Sequence, residues 1–146
     1  MSVLALPRTV YNAIRNHSEE TYPRECCGAL LGFPAPGGWV VEAAIRGCDK
    51  QNGNEQATYS ISATEMDKIE RLAEHLGFQI AGFYHSHPDQ PAYWSAADFA
   101  EAHRIGCSYV ITEVGHGRAA RTSGFLLAGT REEDKRFVAQ EIHLLD

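Results

Sequence analysis

Apolar residues recur along this chain with two different periods, and the switching between them predicts an alternation of helices and strands. Pro7 reads as the first residue of a helix whose Val10, Ala13 and Ile14 share one face, and that helix should fade before Tyr22-Pro23. Cys27–Phe33 is a continuous apolar strand, turned at Pro34-Ala35-Pro36-Gly37-Gly38 into a second strand, Trp39–Ile45. Gly47–Gln56 is polar and rich in Gly and Asn, a loop, and Thr58–Ser62 alternates as a short strand. Ser62-Ala63-Thr64-Glu65 is a capping box. It opens a helix with Met66, Ile69, Leu72, Ala73 and Leu76 on the buried side and Gly77 as its C′ residue. Phe78–His85 is the next strand. Ser95-Ala96-Ala97-Asp98 is another capping box, for a helix expected to run through Phe99, His103 and Ile105. Tyr109–Val114 is a strand that Gly115-His116-Gly117 turns back into Arg118–Leu127. The tail Phe137–Leu145 is amphipathic and fits either element type. No repeat or linker interrupts residues 1–146, which read as one α/β domain with a mixed sheet and helices packed on it.

Composition narrows the function classes. The chain has 146 residues, enough for one core, and 44% of them are apolar, as in a folded globular protein. A net charge of −6 without a basic stripe argues against nucleic-acid binding. No apolar run approaches a membrane span, and Met1-Ser2-Val3-Leu4-Ala5-Leu6-Pro7 lacks the basic n-region of a signal peptide, so a cytoplasmic location is expected. Cys26, Cys27, Cys48 and Cys107 show no Cys-x-x-Cys spacing. A disulfide framework is not expected in that setting, and Cys26 and Cys27 read as small apolar residues at the buried start of a strand. A thiol nucleophile at either position lacks an orienting His/Asn pair.

The chemistry is concentrated in His85-Ser86-His87-Pro88, Ser95 and Asp98. Residues i and i+2 of an extended strand point to the same side, so His85 and His87 present both rings to one point. Asp98 closes the set if the chain folds back through Pro88–Trp94. Two imidazole nitrogens and one carboxylate are the three-ligand set of a catalytic zinc, which keeps its fourth position for water. Ser95 carries two compatible readings, a helix N-cap and a hydroxyl at the site. Rival zinc signatures are missing: there is no His-x-Glu with Pro-Cys-x-x-Cys, as in the deaminases, and no His-Glu-x-x-His. His17, His75, His103, His116 and His143 lack ligand-like spacing and read as surface or partly buried residues, with His103 the one closest in sequence to Asp98.

The pattern resembles the JAMM motif of the MPN-domain (MPN+) metalloproteases, in its small stand-alone prokaryotic form. That motif also takes an upstream glutamate, and Tyr22-Pro23-Arg24-Glu25-Cys26-Cys27-Gly28, leading into Ala29-Leu30-Leu31-Gly32, matches it closely. The resemblance runs from about Leu4 to at least Glu113. It implies a curved mixed β-sheet flanked by helices, in a layout like that of cytidine deaminase, and one zinc ion held by His85, His87 and Asp98. It further implies Glu25 as general base and then acid, Ser95 as donor to the oxyanion, and hydrolysis of an amide or isopeptide bond without a covalent intermediate. The implied partner is a ubiquitin-like or sulfur-carrier protein cleaved after its C-terminal Gly-Gly. Tyr93 and Trp94, just before Ser95, either wall the groove for that tail or pack beneath the loop. The alternative is a non-catalytic MPN module that binds a ubiquitin-like partner.

Overall fold

The structure, a computed structural model, describes residues 2–47 and 61–146. Among the described residues the order is β1 (Val3–Pro7), α1 (Arg8–Thr21), β2 (Cys27–Ala35), β3 (Gly38–Gly47), α2 (Ala63–Leu76), β4 (Gln79–Pro88), α3 (Ala96–Glu101), β5 (Ser108–Gly115), β6 (Arg118–Ala128) and β7 (Arg136–Leu145). The strands join in the order β1-β3-β2-β4-β5-β6-β7, and β7 pairs back onto β1 to close a barrel. β1 runs parallel to β3 and β7, and β4 runs parallel to β5, while the other neighbours are antiparallel. The sheet is therefore mixed and curved, as expected, and it curves far enough to close.

Closure depends on the two strands that the pattern did not specify. β1 was not expected at all. Five residues are too few for a period to stand out, yet Leu4 and Leu6 alternate with half-buried neighbours and are wholly buried. Each such leucine contributes roughly 1.5–3 kcal/mol over an exposed one. The amphipathic tail resolves as β7, whose Ala139, Val138 and Phe137 pair with Phe125, Leu126 and Leu127 of β6 before the strand crosses to β1. The loop expected at Gly47–Gln56 and most of the strand expected at Thr58–Ser62 lie outside the described residues.

The sheet separates two apolar clusters. Tyr84 and Leu30 pack with Leu6, Val10 and Ile14 on the α1 side, whereas Phe83, Tyr109 and Leu31 pack with Ile69 and Ala73 of α2 on the other. Gly28 is required by this arrangement, because a side chain there would run into the Tyr84 ring and the Ile45 carbonyl. α2 is a self-contained helix: its Ser62–Glu65 capping box is formed, and Gly77, at φ 78°, ends it in the left-handed conformation.

Two expectations are corrected. The helix after Ser95 stops at Glu101 instead of continuing through His103 and Ile105. Lys135 Nζ takes the carbonyls of Phe99 (2.9 Å) and Ala102 (2.8 Å), which ends the helix and frees the chain to turn at Gly106 into β5. Cys26 and Cys107 are free and buried, but Cys27 is disulfide-bonded. Absent Cys-x-x-Cys spacing thus did not preclude a bond by a wholly buried cysteine next to a free one.

Candidate metal centre

β4 runs as a strand through Pro88, so both histidines of His-x-His lie in it and their rings share the face that also carries Phe83. After Pro88 the chain reverses. Asp89 adopts φ 56°, its N–H donates to the Val114 carbonyl at 2.6 Å, and the loop returns α3 to the strand. The result brings together the three predicted ligands. Asp98 Oδ1 lies 3.1 Å from His85 Nε2, Asp98 Oδ2 lies 2.9 Å from His87 Nε2, and the two Nε2 atoms are 3.2 Å apart. All three residues are buried, at 2%, 4% and 4% exposure, so little water screens the cluster.

The hydrogen bonding of His87 tests whether these residues fit a metal ion. Its Nδ1 is 2.8 Å from the Pro91 carbonyl, which only accepts, so Nδ1 carries the proton. Neutral His87 then turns a lone pair on Nε2 toward the Asp98 carboxylate, which also only accepts. Two buried acceptors at 2.9 Å repel unless a cation or an added proton lies between them. A backbone carbonyl fixing one imidazole nitrogen so that the other faces outward is the usual outer-shell support of a metal-bound histidine. Donor atoms of His85, His87 and Asp98 all lie within 4.8 Å of one another, and the group can hold a metal ion. Without one, the cluster favours protons at the histidine and their absence at the carboxylate. Burial pushes the His87 imidazolium down, but its hydrogen bonds to Asp98 and Pro91 and the charges of Asp98 and Glu25 outweigh burial, and the net shift is upward. Burial likewise pushes Asp98 up, yet the hydrogen bonds of His85 and His87, the charge of His85 and the Ser95 amide hold its carboxyl well below the usual range.

Ser95 is the N-cap of α3. Its Oγ accepts the Asp98 N–H at 3.1 Å, while Asp98 Oδ2 accepts the Ser95 N–H at 2.9 Å, completing the capping box. The cap uses the hydroxyl as an acceptor and leaves its own proton to donate elsewhere. Glu25 is half-buried in the segment between α1 and β2, and its charge acts on His87. Cys27 is paired with His85 in the β2–β4 ladder, which puts Glu25 level with His87 when that register is continued.

Sequence reasoning missed three supports: Ser86, the Pro91 carbonyl and Lys135. Ser86 stood in view between the two histidines, whereas Pro91 and Lys135 act through backbone carbonyls that leave no residue signature. Of the remaining histidines, His75, His103, His116 and His143 are exposed as expected, whereas His17 is buried rather than partly exposed. His17 is buried with Nδ1 2.7 Å from the Tyr84 hydroxyl, and exposed His103 pairs with Glu132 at 3.2 Å rather than with the centre. Tyr93 and Trp94 differ in burial. Trp94 packs against Phe99 and Phe137, while Tyr93 stacks on Trp94, meets Phe125 edge-on and remains 59% exposed. A cavity of about 400 Å³ continues the same face of the sheet, lined by Ile61, Met66, Phe83 and Tyr109 with Glu101 and Arg104. Among the described residues no helix is long and apolar enough to cross a membrane.

Residues 7–124 match the family model described as prokaryotic homologs of the JAB domain. The chain belongs to that family. Its fold is similar to the solution structure of a protein from Desulfitobacterium hafniense, with a TM-score of 0.79 at 23% identity, covering 98% of this chain and 93% of the other. A solution structure from Salinibacter ruber is 31% identical with a TM-score of 0.72, covering 100% of this chain and 92% of that one. The crystal structure of a JAB1/MPN domain protein from Archaeoglobus fulgidus aligns at a TM-score of 0.57 and 15% identity, covering 100% and 98%. No curated protein matches the chain.

Proposed function

We propose that this protein is a zinc-dependent hydrolase of amide or isopeptide bonds, cleaving after the C-terminal Gly-Gly of a ubiquitin-like or sulfur-carrier protein. The observation that carries the reading is the convergence of two imidazole nitrogens and a carboxylate at 2.9–3.2 Å, with the His87 tautomer set from behind by Pro91. His85, His87 and Asp98 would hold the ion. When bound, zinc would supply Lewis-acid activation of a water molecule. Glu25 would accept that water's proton and return it to the leaving amine, and the Ser95 hydroxyl would donate to the oxyanion as the carbonyl carbon becomes tetrahedral. Glu25, His85, His87, Ser95 and Asp98 are all present, which favours catalysis over the alternative of a non-catalytic binding module.

Several features support a protein tail as the substrate. The exposed Tyr93 ring, two residues before Ser95 in the chain, would offer one wall of a groove, and a glycine tail is narrow enough to lie against it. The apolar cavity next to Phe83 suits a side chain further up the tail. The acidic chain offers neither a phosphate-cradling Gly-rich loop nor a basic patch for a nucleotide. Zinc-loaded protein mixed with carriers ending in Gly-Gly-X should release the extension, as read by mass, and should stop when a bulky residue replaces the final glycine. Glu25→Gln should keep about one zinc per chain, by the three-ligand rule, and lose hydrolysis. Full activity in zinc-loaded Glu25→Gln would remove Glu25 from the mechanism.

A further inference from the structure

Glu25 belongs to neither a helix nor a strand. It sits in the segment from Tyr22 to Cys26 that links α1 to β2. A general base must come within about 2.6–3.2 Å of the proton it takes, and a misplacement of about 1 Å can cost roughly 100-fold in rate. Something must therefore hold this segment in place. On the α1 side the Arg24 N–H donates to the Thr21 carbonyl at 2.9 Å and the Cys26 thiol lies 3.6 Å from the Ser18 hydroxyl. Two further contacts tie the segment to the stretch of chain that carries the histidine pair.

The first contact is at Cys26. In an antiparallel hydrogen-bonded pair, two facing residues exchange both N–H···O=C bonds. Here the Ser86 N–H donates to the Cys26 carbonyl at 3.2 Å, but the Cys26 N–H donates to the Ser86 hydroxyl at 2.8 Å. A side-chain oxygen has replaced one rung of the ladder immediately beside Glu25. Ser86 is wholly buried and points to the opposite face from His85 and His87, so its hydroxyl stands behind the centre and not in it. The second contact is at Tyr22, whose hydroxyl donates to Asp89 Oδ2 at 2.6 Å. Asp89 is itself fixed. Its Oδ1 accepts the His116 N–H at 3.0 Å, and its own N–H reaches the Val114 carbonyl. The two Asp89 oxygens thus hold the Tyr22 hydroxyl and the His116 amide at once, which joins the start of the Glu25 segment to the loop that follows the histidines.

We propose that Ser86 and Asp89 are positioning residues that clamp the Tyr22–Cys26 segment at both ends onto the histidine strand and its loop, and so register Glu25 to the metal ligands. The anchors lie one residue after His85 and two after His87, so Glu25 takes its reference frame from the ligand strand itself. This inference rests on the reading of Glu25 as the general base.

The test compares wild type, Ser86→Ala, Ser86→Thr and Tyr22→Phe as full-length zinc-loaded proteins. Zinc should stay near one per chain in all of them, because no ligand is touched. In Ser86→Ala, amide hydrogen exchange at Cys26 should rise about tenfold, the loss of one ordinary hydrogen bond. With a carrier protein ending in Gly-Gly plus a short extension, kcat should fall about tenfold or more with KM within about twofold, as expected when a base is displaced but binding is kept. Tyr22→Phe should show the same split, more weakly, and Ser86→Thr should restore both Cys26 protection and kcat. A serine with a merely structural role would lower thermal stability and leave kcat alone. Unchanged exchange at Cys26 in Ser86→Ala would overturn the clamp, as would full kcat in that variant despite faster exchange. Should wild type cleave no such carrier, the exchange comparison decides. Failure of the base reading is seen separately, as full activity in zinc-loaded Glu25→Gln.

Discussion

At the start of α2, Ser62 accepts the Glu65 N–H at 3.1 Å and Glu65 lies 3.4 Å from the Ser62 N–H; at the start of α3, Ser95 and Asp98 make the same exchange at 3.1 and 2.9 Å. One local rule thus wrote both helix starts. Ser62 faces water, and its box does nothing beyond satisfying the first turn of α2. Asp98 is 4% exposed, and its oxygens lie against His85 and His87 as well as the Ser95 amide. The far ends differ too. α2 runs fourteen residues and stops itself at Gly77, whereas α3 has six residues and is stopped by Lys135 from a distant segment. A helix of that length does not hold itself in water, so the position of Asp98 depends on tertiary contacts. A capping motif says where a helix begins, and what faces the cap decides whether its carboxylate becomes a ligand.

Breaking the two carboxylates separately should give the largest contrast. Asp98→Ala should reduce zinc from about one per chain to well below it, on the three-ligand rule, whereas Glu65→Ala should leave zinc untouched. Elemental analysis of the purified proteins reads this directly, and full zinc in Asp98→Ala would end its assignment as a ligand. The two serines should separate next. Ser62→Ala and Ser95→Ala should each lower stability by about 1 kcal/mol, the usual value of a cap. Only Ser95→Ala should also lower kcat on a Gly-Gly-extended carrier, by roughly 100- to 1,000-fold if its hydroxyl serves the oxyanion.

Acidity distinguishes the boxes as well. With no metal bound, His87 has its pKa raised above the ordinary 6.5, so its pairing with Asp98 stabilises the fold fully below that pH and is lost as pH rises through the folded value. Asp98 is lowered from 3.8, so its contribution is present above that pH and lost as pH falls further. Metal-free protein should therefore gain most from the pair between these limits. Added zinc should raise the melting temperature more at pH 8 than at pH 5.5, because protons compete for His87. Melting curves with and without zinc check this, and Asp98→Asn should flatten the difference. The smallest effect is expected at the helix ends. Lys135→Met should remove two bonds to the α3 carbonyls and cost about 1–3 kcal/mol, with weaker zinc retention under a chelator. Gly77→Ala should cost stability alone, through strain at φ 78°.

The sequence by itself determined much of the frame. Helix α1, helix α2 with both of its ends, and strands β2 to β6 follow from periodicity, caps and Gly/Pro punctuation, since these depend on residues close together in the chain. It also supplied the ligand candidates, because the two-residue repeat of a strand brings His85 and His87 together whatever the rest of the fold does. The tertiary structure decided the remainder. β1 and β7 became strands because each had a partner 130 or more residues away, with Val3 opposite Glu141 and Pro7 opposite Leu145, and no local period reports such a pairing. The end of α3 was decided by Lys135, more than thirty residues downstream. Cys27 took part in a disulfide although its spacing gave no sign of one. The closeness of Asp98 to the histidines, the tautomer of His87 and the tie between Cys26 and Ser86 rest on hydrogen bonds between segments distant in sequence or made by backbone carbonyls. Such bonds need the folded geometry before they exist. The sequence therefore named the donors, and the fold decided that they converge.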